Sequence, residues 1–147
     1  MTLGIETRRN RKRGNALLEA ALAAPLLFLM LSGVIDFGRA FYFCDIAANT
    51  ARAGTMWASL SSANAGNTTG MEAAARSEAP ELPASVLTVT PSFFCQNAAG
   101  TVVDCAANPN AEEYVKVVTQ INYNLMIPWP GLANPLRLGG ISVMRVQ

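Results

Sequence analysis

One ionisable side chain, Glu19, interrupts the apolar run from Asn15 to Ile35. A carboxylate held in hydrocarbon costs about 2.5–3.5 kcal/mol on insertion scales, so its position calls for a partner or a purpose. Gly14 closes the basic stretch before the run, and Asn15 opens it. A cut between Gly14 and Asn15 would leave a new amino terminus at the membrane surface, one helical turn from Glu19. In a bundle of such helices the carboxylate of one copy could neutralise the terminal ammonium of the next. Removing one member of such a buried pair costs several kcal/mol, which would enforce register between copies. The alternative reading is that Glu19 snorkels to the near interface, where a charge costs little.

Other chemistry is thinly represented. The chain has no histidine, so the commonest general base and metal ligand are missing. Its cysteines do not form a zinc pattern: Cys44 stands apart, and Cys95 and Cys105 have no second pair nearby. Outside the cytoplasm, Cys95 and Cys105 read as a disulfide. Cys44 reads as a small apolar residue on a helix. Glu72, Glu78, Glu81, Glu112 and Glu113 could be imagined as an acid–base pair, but Glu112 and Glu113 would point apart on a strand, and the others lie on or beside a short solvated helix. We therefore expect no enzyme, no cofactor and no bound metal.

The elements that position these residues follow from the charge pattern. Arg8, Arg9, Arg11, Lys12 and Arg13 abut the apolar run and should keep that end in the cytoplasm, with everything beyond the run exported. A hydrocarbon core of about 30 Å takes roughly 20 apolar residues, which the run supplies. Pro25 is tolerated in a membrane helix and should bend it. Ser32 and Gly33 would admit a neighbouring helix or simply face lipid. Phe37, Phe41, Tyr42 and Phe43 suit the outer interface. Of the 147 residues, net charge +1, those from Asn15 onward are mildly acidic, so no nucleic-acid partner is expected.

Helical spacing continues past the membrane run, with Phe37, Phe41, Cys44, Ala48 and Ala51 forming the expected packing stripe. Residues 59–70 read as a helix stop and flexible loop, and Thr69 as the cap of a short helix ending at Pro80. Strands are expected at 85–90, bounded by Pro91, at 93–95 and 101–105 around a hairpin, at 114–123, and at 136–146 with Gly139–Gly140 as a bulge or bend. Val115, Val117, Thr119 and Ile121 should share one face. Residues 128–135 form a rigid Pro/Gly loop. The fold class is α+β: a long amino-terminal helix, transmembrane and then amphipathic, followed by a small antiparallel β-sheet. The expected segments are a basic leader 1–14, a transmembrane helix 15–37, its extension 38–58, a loop and short helix 59–83, and an antiparallel β domain 84–147.

The residues Arg13–Gly14, Glu19, Pro25, Ile35–Asp36–Phe37–Gly38–Arg39 and Ala48–Asn49–Thr50–Ala51–Arg52 occur in an order that resembles the TadE-like family, pseudopilin-type components of bacterial tight-adherence (Flp-type) pili. The resemblance covers Arg13 to Thr55, under a third of the chain. It implies a pseudopilin-like, single-pass subunit of the inner membrane, with its carboxy-terminal domain in the periplasm or outside. The implied partners are the lipid bilayer, other pilins and pseudopilins, the pilus assembly machinery and a prepilin peptidase. It implies Gly14 as the last leader residue, Asn15 as the first mature residue, and Glu19 as the recognition and register carboxylate. Ala20 departs from the pattern, since the major Flp-type pilins usually place an aromatic after the Glu. The competing reading is a secreted binding or adhesin domain behind an ordinary signal peptide. Ala23–Ala24 lies before the apolar core, in the wrong order for that cleavage.

Overall fold

The computed structural model describes the backbone of residues 6–147 and the side chains of residues 15–147. The described residues open with α1 (Glu6–Ser59), continue through α2 (Ser62–Ala65) and α3 (Thr68–Arg76), and then form four strands, β1 (Leu87–Gln96), β2 (Val102–Val103), β3 (Glu112–Tyr123) and β4 (Leu136–Arg145). The expected α+β architecture is what the structure shows: a long apolar helix, then a small antiparallel sheet in the order β2-β1-β3-β4. Two compact units divide between Gly38 and Arg39.

In the second unit, α1 from Arg39 onward packs on one face of the sheet. β3 supplies Val115, Val117, Thr119 and Ile121, all buried, as the alternation predicts. Leu87 and Val89 extend that layer on β1, and Met71 and Ala75 of α3 close it. The helix contributes Ala47, Ala51 and Ala58 to the same core. Here the expected stripe needs correcting. Ala51 is buried as expected and Cys44 half-buried, but Phe37, Phe41 and Ala48 are exposed, and Ala40, Ala47, Thr50, Thr55 and Ala58 are buried in their place. Small residues win because helix and sheet approach too closely for an aromatic layer.

That approach centres on Gly140. A Cβ there would run into the backbone of Ala47 and Ala48. Beside it, Thr119 Oγ1 donates to the Ala47 carbonyl at 2.6 Å, which also accepts from Thr50 Oγ1 at 2.9 Å. Thr55 and Ser142 join their hydroxyls at 2.8 Å farther along the seam. Gly139 and Gly140 pair in continuous register with Gln120 and Thr119, so they form no bulge; the glycine serves close packing. Thr119→Val keeps the shape and deletes the hydroxyl. We expect it to lower stability by about 1–2 kcal/mol in chemical denaturation, the typical worth of one buried hydrogen bond.

Three further expectations change. Pro91 does not end a strand: β1 runs through it, pairing Pro91 with Val117. β2 pairs with β1 only at Cys95 and Gln96, so at Pro91 that side of the strand is an open edge, where a missing N–H is tolerated. The cap of α3 is Asn67, not Thr69, with Asn67 Oδ1 accepting from Gly70 N at 2.9 Å. Residues 59–70 are not simply a loop, since Ser61 caps the single turn α2.

Candidate functional site

Among the described residues, one helical stretch, Asn15–Ser59, is long and apolar enough to cross a membrane, with mean hydropathy 2.1 over its most apolar window. That window is fully unburied, which distinguishes it from a core helix. Leu17, Leu22, Phe28 and Val34 are 72%, 73%, 69% and 71% exposed. Removing apolar surface of this kind from water is worth about 25 cal/mol per Å², so such a helix calls for lipid or other helices around it.

Glu19 lies on this exposed helix. It follows Asn15 by four positions, so the two share a face, with a rise of about 6 Å between them. Gly14 and the basic leader fall outside the residues whose side chains are described. Pro25 stands inside α1, where it removes one backbone donor. Ser32 Oγ donates to the Phe28 carbonyl at 2.7 Å, so this hydroxyl is satisfied within its own helix. Gly33 is half-buried beside it.

In the second unit the structure brings Cys95 and Cys105 to disulfide distance, with sulfurs 2.11 Å apart and Cα atoms 5.2 Å apart. Cys95 is buried at the end of β1 next to the short strand β2. A loop of this size contributes about 2.5–3 kcal/mol in the chain-entropy model. Cys95→Ser together with Cys105→Ser is therefore expected to lower stability by that amount, read as a shift of the denaturation midpoint. Reductant should reproduce the shift in the unsubstituted protein. Cys44 is unpaired and half-buried on α1.

The carboxylates of the second unit are not gathered into one site. Glu72 bonds Arg76 at 2.8 Å on the α3 surface. Glu112 pairs with Arg145 at 2.9 Å and accepts from the Tyr114 hydroxyl at 2.8 Å. The Glu112 hydrogen bond, followed by desolvation, raises the Tyr114 phenol above its ordinary value. Glu113 sits beside Glu112 but registers opposite Cys95. Glu78 instead lines a groove between α1 and α3 with Asn49, Arg52, Met56 and Ser77.

Sequence reasoning gave no role to the β3–β4 connection beyond rigidity. The structure roots it on a second small core, where Tyr123 and Leu125 pack with Ala40, and Phe43, Trp129, Leu136 and Leu138 surround them. Arg39 holds its guanidinium 5.5 Å above the Tyr123 ring. The missed signal is that no charged residue occurs from Tyr123 to Leu136.

Residues 14–55 match the family model described as TadE-like protein. The match begins at Gly14 and ends four residues before α1 does, so it follows the helix and bears out the resemblance read from Arg13–Thr55. With the apolar helix it covers, it points to a membrane protein associated with the tight-adherence pilus. No curated protein and no solved structure matches the chain.

Proposed function

We propose that this chain, TadE-like over residues 14–55, is a minor pseudopilin-like subunit of a tight-adherence (Flp-type) pilus. It acts in assembly and adhesion by helix packing and is a structural component, not an enzyme. The observation that carries the reading is the coincidence of the family match with a helix whose apolar run, Asn15 to Ile35, leaves its surface open and carries one acid.

In this reading α1 anchors the chain in the inner membrane with its amino terminus in the cytoplasm. A prepilin peptidase cuts between Gly14 and Asn15. Glu19 then meets the terminal ammonium of a neighbouring pilin or pseudopilin and sets the stagger between subunits. The domain from Arg39 on stands in the periplasm, held by the Cys95–Cys105 pair and offering its sheet edge or tip to other pilus components.

Expression with and without a prepilin peptidase tests the processing step. Intact mass should place the mature amino terminus at Asn15 only when the peptidase is present, and Gly14→Ala should block the change. A start near Phe41, independent of the peptidase, would instead support the secreted-domain alternative. An unchanged mass in both cultures would remove processing from the proposal.

A further inference from the structure

The β3–β4 connection is an uncharged surface loop built to hold apolar side chains outward. Residues 124–135 read NLMIPWPGLANP. Met126 is 66% exposed and Leu132 is 42% exposed. The loop is not slack. Its neck is tied by Leu125 N donating to Asn134 Oδ1 at 3.1 Å, and by Asn134 Nδ2 reaching the Leu125 carbonyl at 3.5 Å. Its tip is a tight turn in which Leu132 N donates to the Trp129 carbonyl at 3.2 Å, with Gly131 at φ 84 supplying the left-handed position. Pro130 before that glycine presets the turn.

The root of the loop is placed by covalent continuity. Leu125 packs with Ala40, and Ala40 follows Ile35, the last residue of the apolar run, by only five positions. Even fully extended, five residues reach no more than about 18 Å. The root of the loop thus packs on a residue that the backbone tethers closely to the end of the apolar run. The same neighbourhood carries exposed Phe41 and Tyr42 on α1, and aromatic rings of this kind favour the membrane–water boundary.

We propose that residues 124–135 seat in the lipid interface beside the exit of α1, with Met126 and Leu132 entering the acyl boundary and Trp129 at headgroup depth. The inference rests on the reading of α1 as a membrane anchor. The partner is a phospholipid surface. A charge-free loop with methionine, leucine, tryptophan and prolines enters that boundary without desolvating any ion. The bilayer then contacts the folded domain at a second point, which restrains its rotation about the helix.

The test uses the full chain in phosphatidylcholine–phosphatidylglycerol vesicles. Trp57→Phe leaves Trp129 as the only tryptophan. Its emission should be quenched strongly by lipids brominated near the headgroup end of the chain, weakly by lipids brominated at the chain terminus, and weakly by aqueous acrylamide. Met126→Ser with Leu132→Ser should shift it toward acrylamide quenching. A chain carrying Phe28→Trp, Trp57→Phe and Trp129→Phe reports the anchor in parallel. If Phe28→Trp is quenched by brominated lipid and Trp129 is not, the loop proposal is overturned and the anchor stands, whether Trp129 is open to acrylamide or shielded by protein. If neither is quenched, the anchor reading falls and takes the loop with it. Should Trp57→Phe unfold the domain, Leu132→Cys in a Cys44→Ser background, labelled with an environment-sensitive fluorophore, reads the same depth.

Discussion

Gly140→Ala is expected to cost about 2–4 kcal/mol and to lower the thermal midpoint by many degrees. The added Cβ has no free space, because the Ala47 carbonyl group and the Ala48 nitrogen already occupy its position. Neither obstacle is a side-chain tip that can rotate away. Both belong to a helix interior, so relief requires lifting α1 off β4. Overpacking of a core commonly costs about 1–3 kcal/mol, and a backbone collision lies at or above the top of that range. The same movement would lengthen the 2.6 Å bond from Thr119 Oγ1 to the Ala47 carbonyl. Gly139→Ala is the internal control. Its Cβ would meet only the Thr119 carbonyl at 3.3 Å, on a strand position open to solvent. Denaturation of the two variants in parallel, followed by circular dichroism, should show a large midpoint shift for Gly140→Ala and a shift several times smaller for Gly139→Ala. Equal shifts would mean that the seam is not as close as described.

Glu19→Ala is expected to act in opposite directions on two readouts. Removing the one ionisable group between Asn15 and Ile35 takes away a membrane-insertion cost of up to about 2.5–3.5 kcal/mol, so the chain should enter membranes as well as before or better. Assembly should fail. If the carboxylate pairs with a neighbour's terminal ammonium in a dry bundle, its loss leaves that ammonium uncompensated, which costs about 3–5 kcal/mol. Such a loss reduces association by two orders of magnitude or more at about 1.4 kcal/mol per tenfold. Co-purification of the variant with other pilus subunits should therefore drop below detection while its membrane yield is maintained. Glu19→Gln separates charge from size and should behave like Glu19→Ala. Unimpaired assembly of both variants would favour the snorkelling alternative, in which Glu19 reaches the interface alone.

The sheet was largely legible because period-two patterning needs no knowledge of the partner. Val115, Val117, Thr119 and Ile121 announce a half-buried strand whatever covers them, and they do form the centre of the sheet. The helix stripe is only partly legible, for the converse reason: Ala51 is buried as expected, while Phe37, Phe41 and Ala48 are not. On α1 both Phe37–Phe41–Ala48 and Ala40–Ala47–Ala58 recur at helical spacing, and hydropathy favours the aromatic set. The choice is made by how close the sheet comes, which Gly140 on another element decides. Gly139–Gly140 was likewise read as a bend because glycine in a strand signals either a bend or close backbone approach, and local sequence does not separate them. Pro91 was misjudged because its tolerance depends on β2 ending short of it. Of the candidate site, the apolar run, Glu19 and the cysteine spacing were visible directly. In the proposed reading Glu19 meets another chain, which no pattern within this one can specify.

The central claim is that an apolar helix holds a disulfide-paired domain on the far side of the membrane. Thiol labelling in spheroplasts measures this most directly, using a membrane-impermeant maleimide on a Cys44→Ser chain so that only Cys95 and Cys105 respond. The account predicts no labelling of intact spheroplasts until a reductant is added, and then labelling from outside without lysis. Labelling that requires lysis and needs no reductant would place the domain in the cytoplasm with its thiols free, and would contradict the account.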